Sequence, residues 1–266
     1  MSFGLARGRE LDDQPVGVRM GPGEELPPLP DDFAAHPAGG GGRIDLRRWF
    51  PKPEQRLEIE IGSGKGTFLM QQGAMRPETN YLGIEYAREF YLYAADRIRR
   101  RVEAASELTN VRMLNTDASE FLRWRVPDGC AAVIHLYFAD PWPKTRHHKR
   151  RMVQDEFLRQ CRRILPVGGE LRIVTDHADY WAWMEEHFAR WTVPPGTSPL
   201  RGDEGKSDAQ ANARAAETPG GFLRLPFDRA ESAGQDEVVG TNFERKYKRE
   251  EGGGRPFYGA ILRRPG

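Results

Sequence analysis

The chain carries two regimes of hydrophobic patterning. Up to residue 42 no period of two or of 3.6 is present. The stretch is rich in Gly, Pro and Asp and closes on "PAGGGG". That composition predicts a mostly flexible arm. From Arg56 a regular alternation begins. "RLEIEI" predicts a strand, "GSGKG" breaks it, and "TFLMQQGAM" predicts a helix. "NYLGIEY" predicts a second strand, followed by a helix with apolar positions at Phe90, Ala94, Ile98 and Val102. "VRMLN" predicts a third strand. "AAVIHLYF" is an apolar run suited to a parallel strand buried on both faces. Val153, Phe157, Cys161 and Leu165 recur at helical spacing over 151–165, and "PVGG" stops them. "ELRIVTD" predicts a fifth strand, 178–190 an aromatic-rich helix, and "FYGAILRR" a last strand. Residues 193–221 turn to Gly, Pro, Ser, Asp and Ala, which predicts a long mobile surface insertion.

Strands alternating with helices predict an α/β fold of Rossmann-like type, with a mostly parallel central sheet and helices on both faces. The length of 266 residues fits an arm at 1–42 and a single domain at 43–264. No apolar run reaches the roughly eighteen residues of a membrane span, so no membrane partner is expected. The N-terminus has no basic-then-apolar leader pattern, and Cys130 and Cys161 stand far apart outside any CxxC spacing. Both features predict a cytoplasmic protein with ordinary buried thiols. A net charge of +1 alone argues against nucleic acid. The charge is patchy, however. The arm holds Glu10, Asp12, Asp13, Glu24, Glu25, Asp31 and Asp32 and masks basic clusters further on.

Open parallel sheets bind ligands at the C-terminal ends of their strands. "EIGSGKG" lies at such an end, where Gly62 and Gly64 allow a tight turn and close approach of a ligand. Taken alone it is also what any tight strand-to-helix turn looks like. Three acids sharpen it. Glu60 precedes the glycines and suits a cationic amine. Glu85 closes the second strand, about 20 residues on, where ribose hydroxyls are met. Asp117 follows the third strand, within reach of an adenine amino group. A ribose, an adenine and an ammonium group together describe S-adenosylmethionine better than a dinucleotide.

"FADPWPKTRHHKRR" follows the fourth strand. Asp140 therefore lies on the same edge as the glycine turn, and two prolines fix the path around Trp142. Trp142 suits either base stacking or a structural, buried place. Lys144, Arg146, Lys149, Arg150 and Arg151 then place five cations in eight residues. A basic run at a helix start opposes the helix dipole and wants an anionic partner, for which RNA phosphates serve. His147 and His148 are adjacent without further ligands, so no metal site is expected. "TNFERKYKR" read by itself is a helix cap followed by a solvated face.

Together "EIGSGKG", "GIE", the "DA" after the third strand, "DPWPKTRHHKRR", "VTD" and "TNFE" resemble the bacterial tRNA (guanine-N7-)-methyltransferases, over roughly residues 56–190 and 240–264. The resemblance implies a class I methyltransferase fold and the activity of a tRNA (guanine(46)-N7)-methyltransferase acting on the variable loop. It assigns Glu60, Glu85, Asp117 and Asp140 to S-adenosylmethionine, with Asp140 also catalytic. It assigns Lys144, Asp176, Thr241, Asn242, Phe243 and Glu244 to the tRNA. No DNA partner is expected. A nicotinamide dehydrogenase leaves the basic loop unexplained. A methyltransferase for another substrate leaves the cations unused, and a non-catalytic RNA-binding protein leaves the strand-end acids unused.

Overall fold

The computed structural model describes residue 5 and residues 8–18, 42–193, 221–250 and 256–266. The rest of the arm and residues 194–220 of the expected insertion lie outside the described residues. Five strands build the parallel part of the sheet: β1 (Arg56–Ile61), β2 (Thr79–Glu85), β3 (Val111–Asn115), β4 (Val133–Tyr137) and β5 (Glu170–Thr175). Helices α1 (Thr67–Met75), α2 (Arg88–Ala105), α3 (Ala118–Trp124) and α4 (Asp155–Ile164) connect them, and α5 (Ala178–Trp191) follows β5. The short β6 (Thr192–Val193), β7 (Phe222–Pro226), helix α6 (Asn242–Glu250) and β8 (Tyr258–Arg263) complete the described elements.

The sheet order is β3-β2-β1-β4-β5-β8-β7-β6. β8 runs antiparallel to both β5 and β7. The chain moves outward from β1 to β3 and then returns to the other side of β1 with β4. Loops leaving β1 and β4 therefore diverge, and a crevice opens at their C-terminal ends. Every residue of β4 is buried, as its unbroken apolar run requires. Ile59, Ile134, Leu136 and Ile173 pack there with Phe157, Leu158 and Phe188 from the helices. Each such side chain contributes about 1.5–3 kcal/mol when fully buried. The polar exception is paired within itself. Neutral His135 donates from Nε2 to Glu58 at 2.9 Å and accepts at Nδ1 from the Tyr137 hydroxyl at 2.7 Å. Burial holds the His135 pKa below its ordinary value, against the pull of Glu58. Among the described residues no helix is long and apolar enough to cross a membrane.

The expected elements are present, and α3, the short β6 and β7 were not foreseen from the pattern. The expectation of a flexible arm fails for residues 8–18. Val16 is fully buried, and Gly17 bridges Met113 in parallel along the outer side of β3. The amide of Val18 donates to Met113 O, and the Met113 amide donates to Val16 O. Tyr91 donates its hydroxyl proton to buried Asp13 at 2.8 Å, and Arg99 donates to Asp12 O. The acids of this part of the arm thus hold a strap over an edge strand, which leaves fewer unpaired backbone groups there.

Gly17→Ala tests the strap. An added Cβ would lie 2.3 Å from the Tyr91 hydroxyl and 2.8 Å from Asp13 Oδ2. Overpacking of this kind costs about 1–3 kcal/mol. The variant should unfold at lower urea and exchange its Met113 amide faster than wild type. Wild-type exchange at Met113 would mean the strap does not cover that strand.

Candidate active site at the strand ends

Glu60 is buried near the end of β1, paired with Gly83 on one side and His135 on the other. Its Oε2 finds no hydrogen-bond partner among the described residues. Burial pushes its pKa well above the ordinary range, and the charge of Glu85 adds to the shift against a hydrogen bond from Ser63. Glu85 is raised too, by burial first, with Asp140 as a further negative neighbour and the Ala87 and Gly64 amides opposing. Three carboxylates therefore converge, one with an orphaned oxygen. A ligand bearing an ammonium group fits this set, because it supplies the donor that Glu60 lacks and offsets the mutual repulsion.

Glu85 has a second task. Its Oε2 accepts from the Gly64 amide at 2.8 Å and its Oε1 from the Ala87 amide at 2.8 Å. Gly62 and Gly64 have φ of 74° and 53°, which glycine alone adopts at low cost. A Cβ on either would meet no atom within 4 Å, so the space beside them is open to a ligand. The Gly64 N–H points at a carboxylate, so it is not part of a phosphate cradle. The dinucleotide reading fails at this bond.

The cleft beside these groups has a volume of about 300 Å³ and is lined by Gly62, Glu85, Asp117, Asp140, Trp142 and Arg150, among others. A second hollow of about 610 Å³ shares Tyr86, Asp117, Trp142 and Arg150 with it. Asp117 caps α3, its Oδ1 accepting from the Glu120 amide at 3.1 Å. Tyr86 was missed in the sequence. It is 76% exposed at the rim, an aromatic face beside Glu85. Its signal was only its place, directly after the second strand's acid.

Asp140 is exposed on the loop after β4, and among the described residues no group hydrogen-bonds its side chain. Its backbone is held in an unusual path. Phe138 and Trp142 have φ of 55° and 43°, left-handed values that cost a bulky residue about 1–2 kcal/mol each. Contacts on both rings offset that cost. Phe138 packs against Phe243 at 4.9 Å and Phe257 at 5.4 Å between ring centroids, and such pairs contribute about 0.5–1.5 kcal/mol each. Trp142 takes the Arg150 guanidinium over its ring at 4.9 Å and His147 edge-on. Trp142 is half-buried and walls both hollows.

The basic run departs from expectation in two ways. It does not start a helix. Residues Thr145–Arg150 form a 3-10 turn, and α4 begins later with Asp155 and Glu156 in its first turn. Acids there suit the helix dipole, so dipole repulsion plays no part in the loop's need for an anion. What remains is the lack of neutralisation. Lys144, Arg146, Lys149 and Arg150 are exposed, and none pairs with a carboxylate among the described residues. Arg151 is the second correction. Its side chain is 1% exposed. It donates from Nε to Pro141 O at 2.9 Å, pairs with Asp179, and lies over Tyr180 and Trp183. Arg151 fastens the loop to α5 and cannot reach RNA phosphates.

Asp176 follows β5 at the same edge of the sheet. Thr241–Glu244 require another correction. Thr241 Oγ1 accepts from the Glu244 amide at 3.1 Å, and fully buried Glu244 accepts from the amides of Val238, Val239 and Gly240. Thr241 thus caps the helix, and the acid three residues on is saturated by backbone amides ahead of the cap. Glu244 therefore cannot read a base edge. Asn242 and Phe243 are exposed, the latter in part against Phe138.

The chain is similar to known methyltransferases. Residues 54–194 match the family described as "Putative methyltransferase". The tRNA (guanine-N(7)-)-methyltransferase of Nitrobacter hamburgensis is 41% identical over 152 residues, covering 57% of this chain and 57% of that protein. The protein of the same name from Alkalilimnicola ehrlichii is 42% identical over 140 residues, covering 53% and 56%. That of Streptococcus pyogenes serotype M6 is 34% identical over 176 residues, covering 66% and 79%. The chain thus spans a little over half the length of the first of these relatives.

The raised pKa of Glu60 has a measurable sign. Without ligand, Glu60 keeps its proton above the ordinary carboxylate value of 4.5. Its contribution to folding stability is present below that value and is lost as pH rises through the raised pKa. An ammonium group beside it favours the ionised form. Binding of S-adenosylmethionine in that pH window should release a proton, read by calorimetry in buffers of different ionisation enthalpy. Glu60→Gln should reduce the release. Equal release in both proteins would remove Glu60 from the ligand site.

Proposed function

The chain belongs to the bacterial tRNA (guanine-N7-)-methyltransferase family, and from that membership and its site we propose that it methylates N7 of a guanine in the variable loop of tRNA, with S-adenosylmethionine as donor. One observation carries the reading. Trp142 and Arg150 both line the acid-lined cleft, and Arg150, whose guanidinium covers the Trp142 ring, belongs to the turn whose exposed cations meet no carboxylate among the described residues. A cationic cofactor and an anionic polymer are thus held on two sides of one loop. A small-molecule methyltransferase has no use for that junction.

The donor, when bound, supplies an electrophilic methyl whose C–S bond breaks as the N7–C bond forms, the electron pair leaving with sulfur and the positive charge passing to the purine. The protein's part is placement. Glu60 accepts from the ammonium group. Glu85 accepts from ribose hydroxyls through the lone pairs not used by Gly64 and Ala87. Asp117, at the mouth of both hollows, faces the adenine. Guanine N7 carries no proton in the neutral base, so no general base is needed. Asp140 accepts from guanine N1–H and the N2 amino group, and its charge favours the developing purinium. Holding both partners in line and excluding water supplies several kcal/mol of barrier reduction. Lys144, Arg146, Lys149 and Arg150 take the RNA backbone around an accessible base. Asn242 and Asp176 remain the candidates for direct tRNA contact.

Incubation with unmodified tRNA and methyl-labelled S-adenosylmethionine, followed by nucleoside analysis, should yield N7-methylguanosine at one position. Label in any other nucleoside would overturn the reading. Asp140→Asn should lower the single-turnover rate far more than tRNA affinity, since its work lies at the reacting base. A wild-type rate in that variant would dismiss the role.

The cation turn makes a separate expectation. Neutralising Lys144, Arg146, Lys149 or Arg150 singly should weaken binding and flatten its log–log salt dependence by roughly 0.7–0.9 per lost phosphate contact. Arg151→Ala should instead lower stability by about 2–3 kcal/mol, through lost packing and an orphaned carbonyl. A filter-binding series across salt and a urea titration separate the two groups. Unaltered slopes for all four exposed cations would place the RNA grip elsewhere.

A further inference from the structure

We infer that Phe243 is a positioning residue for methyl transfer, acting through Phe138 to hold Asp140 over the cleft. The inference rests on the proposed reading of Asp140 and reassigns Phe243, which family resemblance gives to the tRNA.

Asp140 has no side-chain hydrogen bond among the described residues, so its place is set by its backbone. The residue that turns that backbone is Phe138, two positions earlier, in a left-handed conformation. Its amide donates to Val174 O at 2.8 Å, which ties the turn to β5. Its ring is held between Phe243 and Phe257. A bulky residue stays left-handed only while its surroundings over-determine it. Removing one wall frees Phe138 to return to an ordinary conformation, and Asp140 swings with it.

Phe243 is built to be a fixed wall. It sits in the first turn of α6, just inside the Thr241 cap. Thr241 caps the turn, and buried Glu244 gathers the three amides just before it. Arg245 pairs with Glu237 at 2.6 Å. Val239 joins a small core with Phe68, Tyr137 and Val174, at the ends of β4 and β5. The whole "TNFE" motif therefore reads as a bracket. Two of its four residues fasten it, and one presents a ring to the reactive loop. Only Asn242 is exposed without a role in the bracket. Contact of tRNA with α6 would be felt at Asp140 through this stack.

The test is a set of variants, Phe243→Ala, Phe243→Leu and Phe138→Leu, each alone and with Asp140→Asn. Hydrogen exchange over residues 138–142 is measured on the full chain, independent of activity. Phe243→Ala should speed that exchange at least tenfold with the global melting temperature little changed. It should lower the single-turnover rate at saturating tRNA tenfold or more, while tRNA and S-adenosylmethionine affinities change less than threefold. Phe243→Leu should recover part of the rate. In the Asp140→Asn background, Phe243→Ala should cost less than threefold further, because both act on one element. A fall in tRNA affinity with an unchanged saturating rate would make Phe243 an RNA contact and overturn the inference. So would full additivity with Asp140→Asn. If Phe243→Ala fails to fold, Phe243→Leu and Phe138→Leu carry the same comparison. Should the wild type prove inactive on tRNA, the functional reading fails, while unchanged exchange at 138–142 would separately sink the clamp.

Discussion

Glu85 sets the terms for everything around it. Its carboxylate takes one amide from the glycine turn after β1 and one from the start of α2. The two loops on either side of the cleft are thereby tied to a single side chain. The tie aligns the glycine turn and occupies the amide that an anion would need. Beside it, Glu60 is buried with one oxygen, Oε2, unpartnered among the described residues. An uncompensated carboxylate in such a place is expensive unless something positive arrives. The site is therefore incomplete by construction. Its electrostatics, rather than its glycines, distinguish it from the nucleotide sites that share its outline.

The loop after β4 follows a different logic. Its key acid is exposed and its supports are aromatic. Phe138 and Trp142, at either end of the Asp140 turn, are held left-handed largely by rings and a guanidinium, with one hydrogen bond from the Phe138 amide to Val174 O. Hydrophobic and cation–π contacts are less directional than hydrogen bonds, so they position a backbone while leaving the acid's own lone pairs free. Arg151 completes the arrangement from beneath, where it grips Pro141 and α5.

Much of this was legible in the chain, and the failures have physical causes. The acids at the strand ends were readable because strand periods mark where each strand stops. The unbroken apolar run of β4 was readable for the same reason. Arg150 and Arg151 were not separable, because a sequence gives the residue type and not its direction; one covers Trp142 and the other lies in the core. Glu244 was misplaced by the resemblance, whereas the residues themselves, Thr-x-x-Glu, spelled a helix cap. α3 is seven residues long, too short to show a period, although Asp117 and Glu120 marked its start. β7 is five residues long and ends on Pro226, so it carries little strand signal of its own. Val16 was missed because its alternation with Val18 and Met20 is too short, next to the Gly, Pro and Asp around it, to announce a strand.

The strap over β3 carries a consequence for how the molecule is made. Gly17 and its partner Met113 are separated by about a hundred residues of chain. A ribosome making this protein releases the strap long before its docking strand exists. The strap must wait, solvated by its own acids, while β1, β2 and α2 assemble. Closing so long a loop costs entropy that few contacts repay, so it seats late and opens early. Between those moments the outer strand is bare, and newborn chains crowded on one message could pair there with each other. The acidic character of the waiting segment, which looked like mere disorder in the sequence, then doubles as mutual repulsion between neighbouring nascent chains.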